Sequence, residues 1–234
     1  MLSSIDISDT DKVMNHNILS LETIHHAYDE QIIFSNLSFS IEEKKITAIL
    51  GKSGSGKSTL LQMMNGLVRP SQGTVTVFGM LIDYKELEHL RLKIGYAVQG
   101  AGLFPHLTVK KNILLPGIIS RKPDESLQKR LSELLEMVNL PDTILLKYPY
   151  ELSGGEQQRV GLCRAILLNP PLVLLDEAFS ALDDETKNEI HNQVLAIQKV
   201  EPRSIVLVTH NMQEAEKLAD AIFQIENKAL NKIK

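Results

Sequence analysis

One stretch, Gly51-Lys52-Ser53-Gly54-Ser55-Gly56-Lys57-Ser58-Thr59, restricts the fold more than any other part of the chain. Gly51, Gly56, Lys57 and Ser58 hold the fixed places of the spacing G-x-x-x-x-G-K-[ST]. The apolar run Ile46-Thr47-Ala48-Ile49-Leu50 precedes it and suits a buried parallel strand. Leu60-Leu61-Gln62-Met63-Met64 follows and is made largely of good helix formers. Strand, glycine loop and helix form the setting in which this spacing has a mechanism. The glycines let backbone N–H groups turn inward as an anion nest at the positive end of the next helix. Lys57 can reach the terminal phosphates of a nucleotide, and the Ser58 hydroxyl can ligate Mg²⁺. A plain Gly/Ser surface loop is the alternative, and the flanking elements weigh against it. The stretch is a nucleoside triphosphate site.

A chain of 234 residues fits one large domain, or a core with a subdomain. At 43% hydrophobic and 23% charged it is ordinary for a globular protein. The net charge is -4 and no strongly basic block occurs, so nucleic acid is not an expected partner. A single cysteine, Cys163, excludes an intramolecular disulfide and agrees with a reducing compartment. No stretch approaches the ~20 apolar residues that span a bilayer, and the polar N-terminus lacks a secretory signal. A membrane role is therefore expected to work through a partner. Residues 1–16 are expected to form a loose tail.

Along the chain, short strands are expected at Ile18–Ile24, Ile32–Phe34, Leu37–Ile41, Ile46–Leu50 and Val75–Phe78. An antiparallel sheet beside the nucleotide core accounts for those that flank the phosphate loop. Tyr28 lies among them, and an aromatic there is more often a packing residue than a ligand contact. Ile94–Val98 reads as another buried strand, ending at Gln99. Gly100–Pro116 is rich in Gly and Pro and is expected to be a loop. Leu127, Leu131, Leu134, Leu135 and Val138 fall at helical spacing and predict an amphipathic helix over Asp124–Val138. A helical insertion between core strands follows from that.

Two more apolar strands close on polar residues: Leu172–Leu175 on Asp176-Glu177, and Ile205–Thr209 on His210. Helices are expected at Gly155–Leu168 and Asp184–Val200. Strands alternating with helices imply an α/β fold, a nucleotide-binding core with a mostly parallel sheet and ligand groups at the strands' carboxyl ends. The loop after Leu50, Gln99, Asp176 and His210 all lie at such ends. Asp176 is placed to hold Mg²⁺ through its hydration shell. Glu177 is placed to orient and deprotonate an attacking water. The plainer reading of the pair is a polar strand end capping the next helix.

A third motif points to a family: Leu152-Ser153-Gly154-Gly155-Glu156-Gln157, followed by Gln158-Arg159. In isolation Ser-Gly-Gly is a turn that opens a helix. Alongside the other motifs it closely resembles the signature sequence of ATP-binding cassette (ABC) ATPases. The resemblance runs from about Ile18 to Ile225, with the motifs in the family's order. It implies a single ABC ATPase domain over 1–234, with a nucleotide-binding core plus β subdomain at 17–99 and 158–234. The helical insertion would cover 100–157 and end in the signature motif.

The resemblance also assigns roles. Gly51–Thr59 is similar to Walker A, and Leu172–Glu177 to Walker B. ATP is expected against Gly51–Thr59, with Tyr28 stacked on adenine, which reverses the reading of Tyr28 given above. Lys57, Gln99, Glu177 and His210 are the implied catalytic residues, with Ser58, Gln99 and Asp176 about Mg²⁺. Ser180-Ala181-Leu182-Asp183 resembles the D-loop. Two such chains are expected to pair head to tail, the Ser153–Gln157 segment of one capping ATP held by the other.

Within the family, Gly102–Val109 with Asn112-Ile113 and Pro116 is most similar to ATPases of bacterial importers for osmoprotectants and polar amino acids. Such a chain works with membrane permease subunits and a solute-binding protein, at the cytoplasmic face of the membrane. The alternative is the ATPase of an exporter or a lipid or lipoprotein-release system. Three departures stand out: Ala178 where importers usually have Pro, Cys163 for a common Ala, and an end, Ala221–Lys234, without the Gly-containing hairpin.

Overall fold

Residues 17–234 are described by the computed structural model, and the expected loose tail at 1–16 lies outside them. The chain opens with a long antiparallel pair, β1 (Asn17–Tyr28) and β2 (Gln31–Glu42), then crosses to β3 (Ile46–Gly51). Helix α1 (Lys57–Met64) leads to β4 (Gln72–Val77) and the short β5 (Met80–Leu81). After α2 (Glu88–Arg91) and β6 (Ile94–Ala97) come α3 (Val109–Ile119), α4 (Asp124–Met137) and α5 (Gly154–Ile166). The rest alternates as β7 (Leu172–Asp176), α6 (Asp184–Val200), β8 (Ser204–Thr209) and α7 (Met212–Leu218), closing with β9 (Ala221–Glu226) and β10 (Ala229–Lys232). One antiparallel sheet has the order β2-β1-β4-β5, and a six-stranded sheet has the order β10-β9-β3-β8-β7-β6, parallel except at β10. The expected α/β architecture is present, with its antiparallel β unit and with helices between β6 and β7.

Alternation along the central strands separates two cores. Ala48, Val173, Leu175, Ile205 and Leu207 face one, filled by α3, α4, α5 and α7. Ile49, Leu172, Leu174, Val206 and Val208 face the other, which α1 and the antiparallel sheet complete. Successive side chains of a strand point to opposite faces, so a strand buried on both sides must be apolar throughout. β3, β7 and β8 come close to that condition: nearly every residue in them is buried, and the polar exceptions are Thr47 and, at strand ends, Asp176, Ser204 and Thr209.

Four local expectations change. Ile32–Phe34 and Leu37–Ile41 are one strand, β2, because Asn36 takes φ 58° and supplies a bulge instead of a break. Gly100–Pro116 is not loop throughout, since α3 begins at Val109 and contains Pro116. Thr108 caps that helix, and its buried residues Val109, Asn112, Ile113 and Leu114 pack against the core. Tertiary packing there outweighs the helix-breaking tendency of the proline. The strand at Val75–Phe78 begins earlier, at Gln72. At the C-terminal end a hairpin does form without glycine: Glu226 pairs with Ala229, and the two turn residues Asn227 and Lys228 take φ 50° and 65°. Among the described residues, no helix is long and apolar enough to cross a membrane.

A two-residue hairpin turn with both φ positive favours Asn followed by Gly. Lys228 in the glycine place carries backbone strain of about 1 kcal/mol. Lys228→Gly is expected to raise Tm by roughly 2–4 °C in a chain of this size, read by calorimetry. An unchanged or lower Tm would show that the turn is not strained.

Candidate nucleotide site

The site grows from the end of β3. Gly51 closes that strand, and Gly56 caps α1 with φ 97°, a conformation open to glycine at little cost. A Cβ on Gly56 would also come within 2.6 Å of the Ile33 side chain and 2.8 Å of Phe34. Glycine is required there twice over, by conformation and by space. Lys57 is buried, and its Nζ donates to Gly51 O and Lys52 O at 2.9 Å each, which holds the ammonium across the loop.

Beside the loop, Ser58 Oγ donates to Asp176 Oδ1 at 3.1 Å. Asp176 ends β7 and is buried. Burial pushes its pKa above the usual carboxylate range; the Ser58 hydrogen bond and the charge of Lys57 oppose this, and the Glu177 carboxylate adds to it. Glu177 follows with φ 49°, its N–H donating to Val208 O at 3.0 Å, so the chain turns out of the sheet at that residue. Gln99 Nε2 donates to Glu177 Oε2 at 3.3 Å, and His210 Nδ1 lies 3.8 Å from the same oxygen. Lys57, Ser58, Gln99, Asp176, Glu177 and His210 thus form one connected set at the carboxyl ends of β3, β6, β7 and β8. Two adjacent carboxylates, a hydroxyl and an ammonium beside a glycine nest suit phosphate and a hard cation. Among the described residues no group of three His, Cys, Asp or Glu could hold a metal alone.

A cleft of about 440 Å³ adjoins the loop, lined by Lys52, Gly54 and Ser55, by the start of β2 and by Gln224–Lys228. The β9–β10 hairpin is the part of this wall that sequence reasoning missed. It is brought there by the parallel pairing of Gly51 with Ile225, which leaves no local signal. Tyr28 is not part of that lining: it is 45% exposed at the end of β1, its ring edge-on to His26 at 4.8 Å.

The Ser153–Gln157 segment opens α5 beside the loop that follows Glu177. Ser153 and Glu156 form a reciprocal cap: Ser153 N donates to Glu156 Oε2 at 2.7 Å, and Glu156 N donates to Ser153 Oγ at 3.2 Å. Those bonds hold the Glu156 carboxyl below its usual range, chiefly through the Ser153 backbone N–H. Gly154 and Gly155 lie against Ala181 and Leu182, where a Cβ on Gly155 would stand 3.3 Å from Leu182 Cδ2. Among the described residues, no hydrogen bond joins Ser153–Gln157 to Gly51–Thr59 within the chain. Ser180 and Ala181 are bonded to Gln158, and Asp183 caps α6 by accepting from Thr186 N at 2.9 Å.

Beyond Gln99, side chains staple the connection to α3. Asn112 Nδ2 donates to Phe104 O, Leu107 O and Thr108 O, and Asn112 Oδ1 accepts from Phe104 N at 2.8 Å. Arg164 of α5 donates to Ala101 O at 2.9 Å, with its guanidinium 5.8 Å from the centre of the Phe104 ring. Cys163 is buried against α4, its thiol pushed up to about 12 by burial, as a packing residue would be.

Comparison with known proteins shows the family. The family described as ABC transporter matches residues 34–180. The choline transport ATP-binding protein OpuBA of Bacillus subtilis (strain 168) is 39% identical over 206 residues, covering 88% of this chain and 54% of that protein. The chain thus spans about half the length of such relatives. It is 36% identical over 209 residues to the ergothioneine transport ATP-binding protein EgtV of Helicobacter pylori (strain G27), covering 89% of this chain and 97% of that one. Among solved structures, the dimeric post-hydrolysis state of the ATP-binding cassette MJ0796 bound to ADP and Pi superposes with a TM-score of 0.85 at 31% identity. It covers 92% of this chain and 99% of the other. The family match extends over more than half of the chain and includes both the phosphate loop and the Asp176-Glu177 strand end, so the chain belongs to the ABC transporter family.

Proposed function

We propose that the chain is the ATP-binding and ATP-hydrolysing subunit of a membrane importer for a small polar solute, an osmoprotectant or an amino acid. The observation that carries the catalytic part is the connected set Ser58–Asp176 and Gln99–Glu177–His210 beside the Lys57 loop. The relatives named for choline and ergothioneine transport support the transport role and the class of solute. The core would comprise 17–99 and 158–234, with 100–157 as the helical insertion.

In this reading the backbone N–H groups of Gly51–Thr59 cradle the phosphates, and Lys57 transfers its bonds from Gly51 O and Lys52 O to phosphate oxygens. Tyr28 would stack on the base. Ser58 and Asp176, with Gln99, fit Mg²⁺: their oxygens are hard donors, and the buried Asp176 carboxylate has its charge left poorly compensated. Mg²⁺ bound there would neutralise charge on the phosphate oxygens. Glu177, hydrogen-bonded by Gln99, would take the proton of the attacking water, and His210 would contact the γ-phosphate. Ser153–Gln157 serves a second copy, presenting the N-terminus of α5 to its nucleotide. Each site therefore needs two chains. A permease would dock beside Phe104, which is 43% exposed over a cleft of about 300 Å³ that it lines with Pro116, Ile119 and Arg164. A solute-binding protein would deliver the cargo outside, and the chain would sit at the cytoplasmic face.

Three outcomes are expected. Glu177→Gln keeps ATP binding, loses on the order of 10²–10⁴ in hydrolysis and traps a dimer with ATP. Hydrolysis near the wild-type rate in the assembled transporter would remove the role of Glu177. Ser153→Arg leaves ATP binding to the single chain intact but abolishes cooperative hydrolysis, because Arg adds bulk and charge where the backbone must approach closely. Full activity in a strictly monomeric preparation would end the two-chain reading. Phe104→Ala weakens co-purification with the permease by roughly 1–3 kcal/mol, the range of an interface anchor, at unchanged ATP affinity and Tm. Normal assembly and transport in that variant would exclude docking at Phe104.

A further inference from the structure

Gln158 lies on α5 one turn beyond the Ser153 cap, and it is buried although its side chain is polar throughout. Both ends of its amide are used on one loop. Its Oε1 accepts from Ala181 N at 2.9 Å, while Nε2 donates to Ser180 Oγ at 3.1 Å and reaches Glu177 O at 3.5 Å. Glu177 N–H meanwhile donates to Val208 O at 3.0 Å. The backbone of Glu177, in its left-handed conformation at φ 49°, is therefore held from β8 on one side and from α5 on the other. A strained residue persists only where its surroundings over-determine it. Here the amide of Gln158 and the carbonyl of Val208 do so.

We infer that Gln158 is a positioning residue that sets the backbone carrying Glu177 and couples the two nucleotide sites of a pair. The inference rests on the proposed head-to-tail pairing. In such a pair the N-terminus of α5 meets the partner's nucleotide, whereas Glu177 of the same chain serves its own. Gln158 is the polar link between them inside one chain. A shift of α5 on closing over one nucleotide would be felt at Ser180, Ala181 and Glu177 through directional bonds to a buried amide. Apolar contact between Gly155 and Leu182 cannot set the direction of a carbonyl or an N–H in that way. The ordinary alternative is a buried glutamine that is merely satisfied, whose loss lowers stability and nothing else.

The test uses the full chain, with ATP turnover measured against ATP concentration, ATP affinity measured with a fluorescent analogue, and Tm. Gln158→Glu keeps the acceptor for Ala181 N–H and removes the donor towards Ser180 and Glu177. Ser180→Ala removes the far end of the same bond at an exposed residue, so folding is not at issue in that variant. For Gln158→Glu, kcat is expected to fall about ten- to a hundredfold, the effect of a small misplacement of a reacting group. The Hill coefficient should move from a value above one towards one, while single-chain ATP affinity and KM stay within about threefold. Ser180→Ala should shift kcat and the Hill coefficient in the same direction and by less. A cooperative wild type with either variant unchanged in kcat and Hill coefficient, whatever its Tm, overturns the role of Gln158 and leaves the proposed function standing. A wild type that hydrolyses ATP without cooperativity overturns the coupling together with the pairing on which it rests.

Discussion

Leu50 pairs with Thr209 and Asp176 with Val208, in parallel, so three strands buried on both faces end almost level with one another. Everything polar in the site hangs from that alignment. The phosphate loop leaves β3, Glu177 follows β7, His210 follows β8, and Gln99 lies just past β6, which pairs with β7 in turn. Register in a sheet is set by which side chains must be buried, and a slip of one residue would exchange its two faces. With both faces covered by apolar cores, the strands have one placement, and the polar ends inherit a fixed geometry.

The groups at those ends then act on each other. Asp176 is a carboxylate kept in a buried position that disfavours its charge, relieved by Ser58 and Lys57. Glu177 leaves the sheet at a strained backbone angle and meets Gln99 and His210 through a single oxygen, Oε2. The left-handed turn frees the carboxylate to face the loop, and α5 supplies part of what keeps that turn in place. Asp176 is desolvated and Glu177 has a left-handed backbone, and the two apolar cores supply the stability that offsets both.

Sequence legibility follows the range of the interactions. The phosphate loop, Asp176-Glu177 and the alternation of central strands with helices could be read because each is encoded by neighbours along the chain. α3 was hidden: Gly100, Gly102, Pro105 and Pro116 gave its region a loop composition, while the Thr108 cap and the buried Asn112 decided for helix. The β9–β10 hairpin was hidden for a different reason. Asn227 is a turn residue, but Lys228 stands where glycine would complete the signal, and the hairpin's position beside Lys52 and Ser55 comes from pairing with a strand far back in the chain. Gln158 could be seen as part of a motif, but its bonds to Ser180 and Ala181 depend on how two distant segments meet. Tyr28 shows the converse, a residue prominent by resemblance that stands apart from the lining of the adjoining cleft.

β3 takes both of its sheet neighbours from distant sequence: Ile46 lies beside Ile205, and Thr47 beside Ala221. Contacts of that separation form slowly, because the loop between them must close before either strand gains from the pairing. On the ribosome the strand that launches the phosphate loop emerges long before anything can cover its edges. Until β8 and β9 arrive it is an apolar segment with open hydrogen-bonding rims, the form most prone to pair with another chain. The same topology that makes the finished site rigid makes it one of the last parts of the molecule to exist.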